Sequence, residues 1–583
     1  MKNSTQQLVN RVKSVAFISL LAVSAQLTAA TFYVRPAGDA TSWSALAGIT
    51  PEQIITSNAP EIIGTDTYYF AKGTYVLSST AIDPLTTLPV SIVATVTTGK
   101  IYGGFSGAET TIDLAARAVA DKDGNGIVEP WEFSNETIFK GAVPYDDITG
   151  SSKRFLILTG GEVNGATLAN HYYYGDLVPA AVPFSGAIIL GVASSAPPAA
   201  QNLDENAGKL ILCTIRNIRA GGNGPIMMTN KSSQIDRCLI EECTSAGLIA
   251  NGGGGAIWMN SHGGKITNSI IRNCEAKLVG GGSGKGGAIW STSNVESNAL
   301  VYNCLIHNNS AAGYGSGLRF EGVNGGKTKG GSIINCTILN NLSTIASTTG
   351  QVELIFDGVL LVNNIILNEP NKDELRVRDT RNFISNNIYG TLMTGSAALS
   401  PGTDMVSGKN ITDLKFVRPI FTAGAIGSPG VDFFDKVVYD SIRTANFKIA
   451  DAQSLAVQTV GALKLPATFP SSDADATPIA IAVTIPTVDM LGVARTTTNT
   501  IGAYQFAGAS ALNTVYSDKQ LNVIALQNSI LINNQEGKVA SLFSASGQLI
   551  KRVTLKSNNE IVPVTNGFYI VSVNNRIGKV VVK

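Results

Sequence analysis

The chain has 583 residues, a formal net charge of +1, only 15% charged residues and 60 glycines. That length allows two or three domains, and a near-neutral balance without a Lys/Arg run excludes an electrostatic nucleic-acid binder. Low charge with abundant Gly and Asn points instead to a long β architecture.

At the N-terminus, Lys2, Arg11 and Lys13 accompany an apolar stretch from Val15 to Leu27, and Thr28-Ala-Ala30 offers small residues for cleavage. This pattern predicts a signal peptide over 1–30 and an exported chain, secreted or held at the cell surface. The apolar run is too short to span a bilayer comfortably. No Cys lies near the cleavage point, which argues against a lipoprotein.

Asp121-Lys-Asp123-Gly-Asn125-Gly126-Ile127-Val-Glu129-Pro-Trp-Glu132 matches a twelve-residue calcium loop of the EF-hand pattern. Ca2+ takes six to eight oxygens, and the pattern supplies them at fixed positions. Asp121, Asp123 and Asn125 offer side-chain oxygens and Ile127 its carbonyl. Glu129 is placed to bind through a water, and Glu132 to close the site with both oxygens. Gly126 permits the sharp turn, and Val128 is expected to pack inward. Asp113 to Ala120 is predicted as a short incoming helix. The outgoing side leads into a strand, so a lone, structural calcium site is expected, not a paired sensor. The alternative is a solvated Asp/Gly turn without metal.

A segment beginning Cys213-Thr-Ile-Arg-Asn217 then recurs as Cys238 to Glu242, Ser269 to Asn273, Cys304 to Asn308, Cys336 to Asn340 and Asn364 to Asn368. Its third column is Ile215, Ile240, Ile271, Ile306, Ile338 and Ile366. A small or apolar, variable, apolar alternation predicts a strand with one buried face. The closing Asn column suits a turn, because Asn tolerates left-handed backbone. Stacked amides can also hydrogen-bond from rung to rung. A second strand signal lies between these, at Gly186-Ala-Ile-Ile, Gly224-Pro-Ile-Met, Gly255-Ala-Ile-Trp, Gly287-Ala-Ile-Trp and Ser316-Gly-Leu-Arg. Each rung therefore carries at least two strands, separated by Gly-rich corners. Repeats of roughly 25 to 35 residues without a helical period predict an all-β fold, a parallel β-helix over 31–510.

The six cysteines fall into inward columns, Cys213, Cys238, Cys304 and Cys336 in one and Cys243 and Cys274 in another. They read as small apolar fillers. Cys243 and Cys274 sit on successive rungs, where a disulfide between them is the alternative.

Binding candidates are few. Arg319 with Glu321, Lys327 and Lys329, and the run Arg376-Val-Arg378-Asp-Thr-Arg381, form the best basic groove for a uronate carboxylate. The competing and favoured reading is a solvated face paired with Asp373, Glu374 and Asp379. Tyr172-Tyr-Tyr174 suits sugar stacking or covering of the solenoid. Asp146-Asp147 precedes the clear rungs. Of His171, His262 and His307, the last is expected to be exposed.

From Leu512 the rungs stop and short alternating strands follow: Leu521 to Ala525, Ser529 to Ile532, Val539 to Phe543, Gly567 to Val573 and Lys579 to Lys583. They predict a small antiparallel β-sandwich over 511–583.

The rungs resemble the right-handed parallel β-helix of the pectin-lyase-like superfamily over about residues 150 to 400. Thr31-Phe-Tyr-Val-Arg-Pro-Ala-Gly38, Ala71-Lys-Gly-Thr-Tyr75, Ile101-Tyr-Gly-Gly-Phe-Ser-Gly107 and Asp489 to Phe506 resemble the opening and closing segments of secreted Bacteroidetes β-helix proteins. Gln505 stands where those proteins usually carry Glu. Ser546-Gly-Gln-Leu-Ile550, Asn566-Gly-Phe-Tyr-Ile-Val571 and Lys579-Val-Val-Val-Lys583 resemble the C-terminal sorting domain of type IX secretion. The resemblance implies export through periplasm and outer membrane by that machinery. A repeat surface without a convincing acid/base cluster points to glycan binding or adhesion by a monomer; the fold resemblance alone supplies the alternative, lyase or hydrolase action on an acidic polysaccharide. The hydrolase patterns Asn-Thr-Asp, Asp-Asp and Gly-His-Gly are not present in their family form, which favours binding.

Overall fold

A computed structural model describes residues 29–76, 94–141, 154–173, 186–191, 207–245, 253–260, 263–277, 284–293, 298–322, 331–343, 350–355, 358–368, 374–378, 382–392, 405–426 and 435–458. It also describes stretches of 465–506 and most of 523–582. The chain divides into two compact units, 1–506 and 507–583.

The first unit is a parallel β-helix. Three long parallel sheets of twelve, fourteen and nine described strands run along it. Ile215, Ile240, Ile271, Ile306, Ile338 and Ile366 pair in strict register down the second sheet, and every one is 0% exposed. A β-branched residue stacked on itself fills the pleat at each rung. The second strand signal forms the third sheet, as in Ile188–Leu190, Ile257–Asn260 and Leu318–Gly322. The first sheet adds a further strand to each rung, such as Lys209–Ile211, Gln234–Asp236 and Phe383–Ser385. Each of those three strands points one apolar residue inward, Leu210, Ile235 and Ile384. One apolar residue makes no alternation, so these strands leave no periodic trace in the sequence.

Two columns of left-handed residues turn the corners. Asn217, Glu242, Asn273, Asn308 and Asn340 have φ between 52° and 59°, as their turn role requires. A second column, Leu212, Arg237, Asn268, Asn303, Asn335, Asn363 and Asn386, precedes the strand. From Asn268 onward its amides donate from rung to rung: Asn303 to Asn268, Asn335 to Asn303, Asn363 to Asn335 and Asn386 to Asn363. The rung-to-rung ladder is thus formed here.

The closing column does something else. From Glu242 to Asn340 its side chains reach residues within 411–426 and 435–458, which with residues near 490 and 501–504 cover the outer face of the second sheet. Asn308 Nδ2 donates to Thr422 O at 2.7 Å and Asn340 Nδ2 to Ile420 O at 2.7 Å. Asn273 Oδ1 accepts from Ile426 N at 2.9 Å, and Glu242 accepts from the Tyr439 hydroxyl. The described residues of this cover contain a 3-10 turn, Ile411–Leu414, an antiparallel pair, Phe416–Arg418 with Asn446–Ile449, and an α-helix, Lys436–Thr444. Asp435 caps that helix by accepting from Val437 N and Val438 N. Phe416, Ile442, Phe447 and Tyr504 pack on Leu239, Ile270, Leu305, Leu339 and Ile365 of the sheet.

The cover overturns the expectation for His307. It is 1% exposed, lies edge-on to Phe447 with ring centroids 5.0 Å apart, and places Nδ1 3.0 Å from Asn308 Oδ1. Burial, helped by the Arg272 charge, pushes its pKa down to about 3, so the ring is neutral.

Glu242 is the odd member of its column. Burial, then the neighbouring Glu241 charge, pushes its pKa up to about 8 from 4.5. A raised carboxyl pKa means the folded state holds a proton that the unfolded chain releases. That stability is fully present below about pH 4.5 and is lost as pH rises through about 8. Glu242→Gln keeps an acceptor for Tyr439 without the charge. It should raise stability at pH 8 by on the order of 2 kcal/mol and leave it unchanged at pH 4.5. Urea unfolding at the two pH values checks this, and equal gains at both would refute it.

All six cysteines are unpaired and buried, Cys243 and Cys274 included. Cys213 N donates to Cys238 Sγ at 3.4 Å and Cys238 N to Ser269 Oγ at 3.1 Å, so the fillers also serve as acceptors.

The second unit is antiparallel throughout, with sheets of three and four strands around Ile530, Ile532, Leu542, Val562 and Val571. Besides the strands read from sequence it contains Leu549–Thr554 and Asn559–Pro563. Leu549–Thr554 is exposed at five of its six positions and so lacks the alternation that marks a strand.

Candidate metal centre

Residues 113–120 do not form the expected helix. The incoming arm pairs with the outgoing one instead: Ala120 N donates to Glu132 O at 3.0 Å, and Ser134 N to Ala118 O at 2.8 Å. Arg117 fixes this arm to the first sheet. Its Nη1 donates to Gly103 O at 2.8 Å, its Nη2 to Asn164 Oδ1 at 2.8 Å, and its guanidinium lies over Phe133. Such pinning holds the arm extended.

Within the loop each short side chain organises the backbone after it. Asp121 accepts from Gly124 N at 2.8 Å and Gly126 N at 3.0 Å. Asp123 accepts from Asn125 N at 3.0 Å, and Asn125 from Ile127 N at 2.6 Å. Gly124 and Gly126 have φ of +76° and +84°, which only glycine adopts cheaply. Glu132 closes the ring: Oε1 accepts from Lys122 N and Asp123 N, and Oε2 from Glu129 N.

These bonds gather carboxylate oxygens of Asp121, Asp123 and Glu132 within 4.8 Å of one another. Two oxygens bound to one Ca2+ at about 2.3–2.6 Å lie at most about 5 Å apart, so this spacing fits a shared ion. Glu129 is 1% exposed; its Oε1 accepts from Asn125 Nδ2 at 2.9 Å, and its Oε2 has no hydrogen-bond partner. Burial, then the charges of Asp123 and Glu132, pushes the Glu129 pKa well above the carboxylate range. Burial also raises that of Glu132. Lys122 turns away to Glu136 at 3.0 Å. The crowded carboxylates and the orphaned oxygen fit a divalent cation. Asp121, Asp123 and Glu132 would hold it, with Glu129 through a water and Asn125 and the Ile127 carbonyl as the pattern's remaining donors.

Packing differs from expectation at one position. Val128 is only half-buried, whereas Ile127 and Trp131 are 4% exposed each and enter the apolar cluster under the cover. The fully buried Arg272 guanidinium also docks the loop. It donates to Asp123 Oδ2 at 2.9 Å, to Glu241 Oε2 at 2.8 Å and to Arg443 O at 2.9 Å. Burial opposes its charge, but Glu241 and Asp123 hold its pKa above the ordinary range. No repeat pattern marks Arg272, which occupies a variable rung position; its role appears only with the loop in place. A cleft beside the loop is lined by Lys122, Glu136, Arg216 and Glu241 together with Trp131 and Phe133.

The proposed basic groove is placed differently from its expected partners. Trp258, Trp290, Arg319, Glu353 and Arg376 follow one another in register across the outer face of the third sheet. Glu353 is 0% exposed and binds Arg319 at 2.7 Å and Arg376 at 2.8 Å, with Arg378 3.8 Å away. Arg319 also meets Glu321 at 3.1 Å and lies over Tyr314. The arginines therefore converge on Glu353, while Glu374 accepts from Asn368 N at 2.7 Å. Glu353 falls one rung from both Arg319 and Arg376, a relation that only the register of the stacked strands reveals. Tyr172 and Tyr173 are each 2% exposed, beneath Arg219 and Arg154. Asp146, Asp147, Tyr174, His262, Lys327, Lys329, Asp373, Asp379 and Arg381 lie outside the described residues.

Residues 509–582, the second unit almost entire, match a family described as a domain of unknown function, DUF6383. No curated protein matches the chain.

Proposed function

We propose that this protein is an exported, calcium-binding β-helix scaffold that binds polysaccharide at the cell exterior. The observation that carries the reading is the gathering of Asp121, Asp123 and Glu132 oxygens beside the orphaned Glu129 Oε2. The role of the ion is structural, because the loop stands alone between two arms pinned to the solenoid. A long solenoid face offers an extended surface for a polymer. The resemblance to pectin-lyase-like β-helices supports a polysaccharide ligand, and the resemblance of the C-terminal motifs to a type IX sorting domain supports an export address. Binding is favoured over cleavage because Glu353 and Glu241 are committed to arginines.

Calorimetry with Ca2+ tests the metal. One site per chain is expected in the wild type and none in Asp121→Ala; absence of heat in both would end the reading. A panel of acidic and neutral glycans, assayed for binding and for unsaturated or reducing ends, tests the rest. Turnover of any glycan would replace binding with catalysis.

A further inference from the structure

We infer that the 121–132 loop is a calcium latch for the cover: filling the loop and seating residues 411–426 and 435–458 on the second sheet are one coupled event. The inference rests on the calcium reading above.

Three contacts tie the loop to the cover, two of them through loop carbonyls that are not calcium ligands. Arg418 Nη2 donates to Gly124 O at 2.8 Å. Asn446 Nδ2 donates to Asn125 O at 2.8 Å. Arg272, from a rung, holds Asp123 and the Arg443 carbonyl together. The apolar side agrees, since Ile127 and Trp131 share one cluster with Phe416, Ile442 and Phe447. The Gly124 and Asn125 carbonyls point at their donors because the left-handed glycines 124 and 126 set the turn. That turn brings carboxylate oxygens of Asp121, Asp123 and Glu132 within 4.8 Å of one another. Without a cation these oxygens repel, and the turn relaxes. Both carbonyls and the Ile127 and Trp131 side chains then lose their fixed positions. Coupling of this kind is reciprocal, so loosening the cover must weaken calcium binding by the same factor that calcium strengthens the cover.

The test uses the full chain. Arg418→Ala and Asn446→Ala remove the two cover donors and leave every carboxylate in place. Each should raise the calcium Kd about fivefold or more. Hydrogen exchange should show residues 411–426 and 435–458 protected with Ca2+ and less protected with chelator, and permanently less protected in Asp121→Ala. If calcium binds but exchange in those residues ignores it and both variants keep the wild-type Kd, the latch is overturned and the calcium reading survives. If no calcium binds, both fall. Arg418 is exposed, so Arg418→Ala alone keeps the test valid should Asn446→Ala fail to fold.

Discussion

Arg272→Met should destabilise the first unit by about 3–5 kcal/mol, the largest effect expected from any one substitution of a charged residue here. Arg272 is 1% exposed, and its Nε and Nη2 both donate to Glu241 Oε2, at 2.9 and 2.8 Å. Glu241 is 3% exposed. Removing the guanidinium strands that buried carboxylate and strips Asp123 and the Arg443 carbonyl of a donor. The cost comes from the charge left behind more than from the pair lost, so Arg272→Met with Glu241→Met should recover most of it. Arg272→Lys should not, because one ammonium cannot span donors aimed at three acceptors. Urea midpoints for the three variants decide the matter. A single-variant loss below about 1 kcal/mol would show the bridge to be dispensable.

Calcium removal should come second. At a free Ca2+ concentration a hundredfold above Kd, binding to the folded state alone adds about 2.7 kcal/mol. In a unit of this size that is a melting shift of several degrees on chelation. Glu132→Gln should abolish the response, because its two oxygens close the ring on Lys122, Asp123 and Glu129. Mg2+ should give much less, since it demands a small octahedral shell that this wide loop does not enforce. Identical melting with Ca2+ and with chelator would exclude the site.

Much of the solenoid was legible because its rungs repeat. The Ile column and the left-handed closing column follow from alternation and from turn chemistry alone. The first sheet was not legible, since a strand such as Gln234–Asp236 shows one inward residue, Ile235, and no period. The cover was half legible. Leu239, Ile270, Leu305 and Ile365 stand at an outward position, where a strand with one wet face would carry polar residues. Apolar residues on both faces of that strand imply a second layer. The loop ligands were readable from spacing, because they are local. Arg272 and Glu353 were not, because their partners come from Asp123, Glu241, Arg319 and Arg376, and only the stacking of rungs brings those together.

The closing column also limits how this solenoid can change length. Glu242, Asn273, Asn308 and Asn340 meet Tyr439, Ile426, Thr422 and Ile420 in turn, so the cover runs back along the rungs peg by peg. Duplicating or deleting one rung between 242 and 340 would leave a peg without its hole and shift every apolar contact beyond it. An ordinary repeat array grows and shrinks by whole units. Here the cover acts as a gauge of fixed length, and gain or loss of rungs is confined to parts of the helix outside its reach.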